Sequence, residues 1–152
     1  MNLKVSLLQL LGFAFLVCGA LGIGFGAPIR AHLRTQQTSI TVEAFPNAPR
    51  LTILQGEGGD KWINGMQESL LPFAWLNGKR VPLLWKLDAS ASHSDTHTVT
   101  YVFKATPVPL RLSWVWQVRT NTGPIEHRIQ IQNLSQQEIW IPMQDSFRFS
   151  WR

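Results

Sequence analysis

Residues 110–119, LRLSWVWQVR, decide the fold class of this 152-residue chain. Every second residue from Leu110 to Val118 is apolar, and the residues between them are mostly polar. Since successive side chains of a β-strand point to opposite faces, this period of two predicts a strand with one buried face. The buried face carries two large indoles, Trp114 and Trp116, which we interpret as core residues.

The same alternation continues on both sides of this strand. It recurs in four further stretches, Thr38–Ala44, Thr98–Ala105, Ile125–Ile131 and Phe147–Trp151. Turn-forming residues separate the neighbouring stretches at Asn121–Pro124 and Asn133–Gln137. Short connections favour antiparallel pairing, and the apolar face needs a second sheet to cover it. The sequence therefore predicts an all-β fold, an antiparallel β-sandwich over residues 27–152.

The middle of the chain is less regular. Asn77-Gly78 predicts a tight turn between two strands, Leu70–Leu76 and Val81–Leu87. Pro72 and Pro82 indicate edge positions there, because proline cannot donate a hydrogen bond to a strand ladder. No long stretch has a helical period and no linker separates two domains, so we expect one domain.

An uncharged segment, residues 5–29, precedes this domain and is rich in Leu, Phe, Ala and Gly. A basic start, an apolar run and then small residues are the order of a secretory signal, with cleavage after Ala20 or Gly26. The same run is long enough to span a bilayer, so an uncleaved anchor helix over residues 5–27 is the alternative. We therefore expect residues 1–26 to be a signal peptide or membrane anchor, and the domain to be secreted, periplasmic or membrane-anchored.

Charge and cysteine content exclude several classes of function. The formal net charge is +5, but the basic residues are scattered singly apart from Lys79-Arg80. Nucleic-acid surfaces usually cluster Lys and Arg, so we expect no nucleic-acid partner. Cys18 is the only cysteine and lies in the N-terminal segment. The exported domain then has no disulfide, thiolate metal site or cysteine nucleophile.

Three motif-like stretches fall short of an active site. His93–His97 holds two imidazoles and a carboxylate, but its composition is that of a loop, and a metal site needs three or four convergent ligands. Glu126 and His127 are adjacent on a strand and would point to opposite faces, so we interpret His127 as a half-buried histidine. Gly56–Gly59 lacks the Gly-Lys-Ser/Thr ending of a phosphate loop. We expect no metal, no cofactor and no catalytic residue in this chain.

Seven tryptophans are many for a chain of this length. Indole rings offer flat apolar faces that stack on the apolar faces of sugars. Trp114 and Trp116 belong to the predicted core face, whereas Trp75 and Trp85 flank the predicted hairpin turn and Trp140 alternates with isoleucines. We therefore take Trp75, Trp85 and Trp140 as candidate carbohydrate contacts on an exposed platform.

Residues 99–151 also follow a longer pattern. The strand LRLSWVWQVR, the turn NTGP, the strand IEHRIQIQN and the turn LSQQ lead into EIWIPMQDSFRFSW. This succession resembles the N-terminal β-supersandwich of glycoside hydrolase family 36, the family of the α-galactosidases or melibiases. Galactose-mutarotase-like sandwiches show a similar pattern. The resemblance implies a supersandwich-like fold.

The resemblance implies a function as well. In that family the nucleophile and the acid/base are aspartates of a (β/α)₈ barrel that follows the sandwich, so no catalytic residue carries over to this chain. It implies an exported accessory domain that packs against the barrel of a glycosidase, a hydrolase of terminal α-galactosides, and shapes its sugar site. We expect a fragment, a truncated product or a stand-alone relative of that domain. The alternative is a non-enzymatic, extracytoplasmic carbohydrate-binding or adhesion module, attached to the membrane only through residues 5–27.

Overall fold

The computed structural model describes residues 27–142. The predicted signal or anchor segment, residues 1–26, and the predicted strand Phe147–Trp151 lie outside the described residues. Within residues 27–142 the chain forms twelve β-strands and no helix. In chain order the strands are β1 (Ile29–Arg34), β2 (Thr38–Ala44), β3 (Pro49–Gly56), β4 (Lys61–Ile63), β5 (Phe73–Leu76), β6 (Lys79–Pro82), β7 (Leu84–Leu87), β8 (His93–Ser94), β9 (Thr98–Thr106), β10 (Leu110–Val118), β11 (Ile125–Asn133) and β12 (Ile139–Trp140). No helix that could cross a bilayer is found among these residues.

The strands form three sheets, and every strand pair in the described part of the chain is antiparallel. The first sheet has the order β1-β2-β3-β4. The second has the order β11-β10-β9-β7, and β8 also pairs with β9. The third and smallest has the order β12-β5-β6. The predicted all-β, antiparallel fold class is thereby confirmed for these residues.

The first and second sheets share one hydrophobic core. Tyr101 of β9 connects them, because its hydroxyl donates to the carbonyl oxygens of Ile29 at 3.1 Å and Val42 at 3.3 Å, both in the first sheet. The ring of Trp114 stacks on Tyr101 with centroids 5.8 Å apart. The whole predicted core face of β10 is buried: Leu110, Leu112, Trp114, Trp116 and Val118. Each such side chain contributes roughly 1.5–3 kcal/mol relative to exposure.

A row of three charged residues crosses the first sheet on β1, β2 and β3. Arg30 and Arg50 are the register partners of Glu43 on its two sides. Glu43 is 1% exposed and forms ion pairs with both guanidinium groups, with Arg30 Nε 2.8 Å from its carboxylate. Burial opposes ionisation of Glu43, but hydrogen bonds from Arg50 and Arg30 hold its pKa below the usual value.

The hairpin turn between β5 and β6 is confirmed. Asn77 and Gly78 both have positive φ, 51° and 73°, as a two-residue type I′ turn requires. Pro82 ends β6, which is an edge strand, so the prediction of an edge position is correct for Pro82. It is wrong for Pro72, which precedes β5, because β5 has a partner on each side.

Candidate functional site on the three-stranded sheet

The two faces of the third sheet differ sharply in burial. Ala74 on β5 is fully buried, and Val81 on β6 and Ile139 on β12 pack against the core. The alternate residues of the same strands must point to the opposite face. These are Phe73, Trp75, Arg80 and Trp140, which we call the aromatic face.

The members of the aromatic face are neighbours across the strands. Trp140 on β12 lies directly opposite Trp75 on β5, and Trp75 lies opposite Arg80 on β6. Trp140 is 66% exposed, while Trp75 is half-buried. The structure therefore brings two of the three predicted carbohydrate contacts side by side, on a face of which no residue is buried.

Contacts between rings order this face. Phe73 packs edge-to-face against Trp75, with centroids 4.8 Å apart and ring planes at 88°. The guanidinium of Arg80 lies over the ring of Phe73, with Cζ 3.9 Å from the ring centroid. Edge-to-face and cation–π contacts of this kind each contribute about 0.5–1.5 kcal/mol. Phe73 thus supports both Trp75 and Arg80.

Trp85, the third predicted contact, lies elsewhere. It belongs to β7 of the second sheet and is 9% exposed, and its indole N–H donates to the carbonyl of Leu71 at 2.7 Å. The preceding residue, Leu84, is 72% exposed instead. The structure places Trp85 in the core and not on an exposed platform.

A cleft of about 690 Å³ begins at Phe73 and runs beside the segment that connects β4 to β5. Its walls include Glu68, Ser69, Phe73, Trp85 and Pro142. A volume of this size is in the range of small-molecule sites. Because Phe73 belongs to both, the cleft and the aromatic face are adjacent.

Glu68, on the wall of the cleft, was not found from the sequence. Glu68 is only 4% exposed, and the indole N–H of Trp114 donates to its Oε2 at 2.8 Å. Burial raises the pKa of Glu68 to about 7. Glycoside hydrolysis needs two carboxyl groups across the sugar, and Glu68 is the only acidic residue among the described residues that line this cleft. Residues 27–142 therefore supply this cleft with one titrating group and no carboxylate pair.

His127 and Glu126 do not form an acid–base dyad. His127 is half-buried against the indoles of Trp116 and Trp114, with ring centroids 4.4 Å and 5.2 Å away. Burial lowers its pKa to about 4. Glu126 instead forms an ion pair with Arg119, with a nitrogen–oxygen distance of 2.9 Å. The interpretation of His127 as a half-buried histidine is confirmed.

The His93–His97 stretch is a loop only in part, because His93–Ser94 form β8 and pair with β9, while residues 95–97 form the turn between these two strands. Asp95 accepts hydrogen bonds from the backbone N–H groups of His97 and Thr98, both at 2.7 Å. These bonds hold the pKa of Asp95 below its usual value. Its carboxylate thus caps a turn, and residues 27–142 contain no group of three or more His, Cys, Asp or Glu that could hold a metal ion.

Comparisons with known proteins identify no relative of this chain. No protein-family model, no curated protein and no solved structure matches this chain. The resemblance to the sandwich of glycoside hydrolase family 36 stays a prediction.

Proposed function

We propose that the chain is an exported carbohydrate-binding domain of β-sandwich, supersandwich-like architecture, which contacts sugars through the aromatic face. The observation that carries this proposal is the pairing of Trp140 with Trp75 across adjacent strands, with Trp140 66% exposed. A large indole held at the surface leaves apolar area in water, which a stacked sugar ring would remove.

The core supports the sandwich part of the proposal. The first and second sheets enclose one apolar cluster, and Tyr101 hydrogen-bonds from one sheet to the backbone of the other. Two antiparallel sheets with a shared core are the arrangement of a β-sandwich. The third sheet packs Ala74, Val81 and Ile139 against the same core and presents the aromatic face on its other side.

The resemblance to glycoside hydrolase family 36 supports the biological setting. In that setting the domain is secreted or periplasmic and accompanies a catalytic (β/α)₈ barrel that hydrolyses α-galactosides. The role of the domain is to bind the oligosaccharide and to shape the rim of the sugar site. Hydrolysis itself belongs to the barrel in this proposal, and no residue of this chain is assigned a catalytic role.

Isothermal titration calorimetry of the chain with raffinose and with galactose tests sugar binding. We expect Trp140→Ala and Trp75→Ala each to weaken binding about tenfold, which corresponds to the loss of one stacking contact. Trp62→Ala is the matched control, because Trp62 is a 41% exposed indole on β4 of another sheet. Equal weakening by all three variants, or no heat with either sugar, would contradict the proposal.

A stand-alone carbohydrate-binding or adhesion module is the second candidate, anchored to the membrane if residues 5–27 are retained. The aromatic face favours it equally, because stacking on Trp75 and Trp140 needs no barrel. Reading the gene downstream of Arg152 separates the two candidates. A barrel in frame that releases galactose from raffinose supports the accessory domain, and a stop codon with no barrel nearby supports the module.

A further inference from the structure

Arg80 gives the aromatic face a positive charge that is held in place. It lies on the edge strand β6 and is exposed, and its guanidinium rests on the ring of Phe73 with Cζ 3.9 Å from the centroid. A guanidinium that stacks through its flat face keeps its N–H donors free at the edges of the plane. Arg80 is therefore pre-ordered and still able to donate.

No carboxylate of the described residues pairs with Arg80. The ion pairs in this part of the chain involve Arg30, Arg50, Lys104 and Arg119. Glu138 immediately precedes β12 and is exposed, yet no ion pair joins it to Arg80. The aromatic face thus carries an ordered cation without an acidic partner from residues 27–142.

We infer that the aromatic face binds an acidic oligosaccharide, one whose sugar units carry carboxylates, such as an oligogalacturonide. Trp140 and Trp75 stack on sugar rings, and Arg80 donates two parallel hydrogen bonds to a uronate carboxylate. This inference rests on the proposed sugar-binding function and adds the charge of the ligand.

The spacing across the sheet suits two consecutive sugar units. Trp140, Trp75 and Arg80 lie on three adjacent strands in register. Neighbouring strands are about 4.8 Å apart, so the backbones of Trp140 and Arg80 are separated by about 10 Å. A disaccharide has a comparable length, so one unit can stack on the indoles while the carboxylate of the next reaches Arg80.

A single-stranded nucleic acid is the other polyanion that stacks on aromatic rings. Its phosphates need a track of basic side chains along the strand. The aromatic face offers Arg80, with Lys79 next to it in sequence, and the other basic residues of the chain are scattered. One ordered guanidinium beside two indoles matches a single carboxylate per stacked unit better than a phosphodiester chain.

Calorimetric titration of the full chain with trigalacturonate and with the neutral galactotriose tests the inference. We expect trigalacturonate to bind about tenfold more tightly at low ionic strength, the contribution of one charge-assisted hydrogen-bonded pair. Arg80→Gln removes this preference, so that the two trisaccharides bind with equal affinity, and Arg80→Lys keeps part of it. Arg128→Gln is the matched control, because Arg128 is an exposed strand arginine on β11, in another sheet.

Each other outcome overturns the inference in a recognisable way. Equal affinity for the two trisaccharides means that charge is not recognised, while the proposed sugar-binding function stands. A preference that survives in Arg80→Gln means that another cation recognises the carboxylate. Loss of both ligands in Arg80→Gln means that Arg80 only supports Phe73. Tighter binding of a thymidine oligonucleotide than of trigalacturonate assigns the face to nucleic acid, and no binding of any sugar overturns the proposed function as well.

Discussion

Trp114 and Trp116 point into the core between two sheets, whereas Trp75 and Trp140 point away from it on a sheet of only three short strands. Trp114 and Trp116 lie on a nine-residue strand with regular alternation, whereas Trp75 and Trp140 have apolar neighbours on strands of four and two residues. Trp114 is fully buried, and Trp140 is 66% exposed. The difference comes from what lies opposite each face: the first sheet packs against β10, whereas no residue of the aromatic face is buried. The number of tryptophans alone therefore indicates no function, and the sheet that each one faces decides its role.

The largest change in the free energy of unfolding is expected from removing a core indole. Trp114→Ala deletes a side chain that stacks on Tyr101, packs against Trp116 and donates to Glu68. Loss of a buried Trp side chain costs about 3–5 kcal/mol of the free energy of unfolding. Urea denaturation followed by far-UV circular dichroism measures it. A loss below about 1 kcal/mol would mean that the indole is not part of a close-packed core.

The carboxyl group bonded to Trp114 gives the core a dependence on pH. The folded pKa of Glu68 is raised from 4.5 to about 7, so the folded state binds more protons than the unfolded state between these values. The contribution of Glu68 to stability is therefore complete below pH 4.5 and is lost as the pH rises to about 7. We expect Glu68→Gln, which resembles the neutral carboxyl, to be more stable than the wild type at pH 8 by up to roughly 3 kcal/mol.

The difference between the stability profiles of the wild type and Glu68→Gln against pH contains the contribution of Glu68 without that of other titrating groups. His127 acts in the opposite direction, because burial lowers its pKa to about 4 and the stability that it contributes is lost as the pH falls. The urea unfolding free energies of wild type and Glu68→Gln, measured between pH 4 and pH 8, should converge at the acid end. Parallel profiles would show that the carboxyl of Glu68 is not buried as described.

Substitution of Trp85 should lower the stability by a smaller amount, and the loss should distinguish Trp85 from the exposed tryptophans. Trp85→Phe keeps an aromatic ring but removes the indole N–H that donates to the Leu71 carbonyl. Leaving that buried acceptor without a donor costs about 1–2 kcal/mol. The melting temperature should fall in Trp85→Phe and stay unchanged in Trp75→Phe. Equal melting temperatures of both variants would place Trp85 with the surface tryptophans after all.

The smallest effect on stability is expected at the aromatic face. Trp140→Ala removes a ring that is mostly in water, so the free energy of unfolding should change by less than about 0.5 kcal/mol. Sugar affinity, measured by calorimetry, should fall in the same variant. A loss of stability comparable with that of Trp114→Ala would show that Trp140 is covered in the folded protein, and the comparison between the two faces would fail.

Most of the second sheet could be predicted from the sequence because its strands are long and alternate strictly. The predicted stretches Thr98–Ala105 and Ile125–Ile131 match β9 and β11 within two residues at their ends. In the first sheet, Thr38–Ala44 is predicted with the bounds that β2 has. The sequence did not single out β1, β3 or β4, since these strands are short, begin at a proline or end in glycines and polar residues.

The candidate site was predicted only in part. Trp75 and Trp140 were identified, but β12 has two residues, so its pairing with β5 leaves no periodic signal. The place of Trp85 near the predicted hairpin turn suggests exposure, and the two adjacent apolar residues Leu84 and Trp85 do not reveal which one points inward. Glu68 lies in a connection without periodicity, where burial of a carboxyl depends on the distant Trp114. The hairpin register that Asn77-Gly78 sets pairs Trp75 with Arg80, and it thereby places Arg80 diagonally opposite Phe73.

The row Arg30, Glu43 and Arg50 also acts on the alignment of the first sheet. A slip of β1 by one residue against β2 would move Arg30 to the face that now holds Ala31 and Leu33, and would bring an apolar residue beside Glu43. A carboxylate that is 1% exposed would then lose one of its cations. A slipped pairing therefore costs free energy in two ways. It places the charge of Arg30 among apolar side chains, and it leaves the buried carboxylate of Glu43 without one of its cations. The three charges select one strand alignment among those that backbone hydrogen bonds alone would allow.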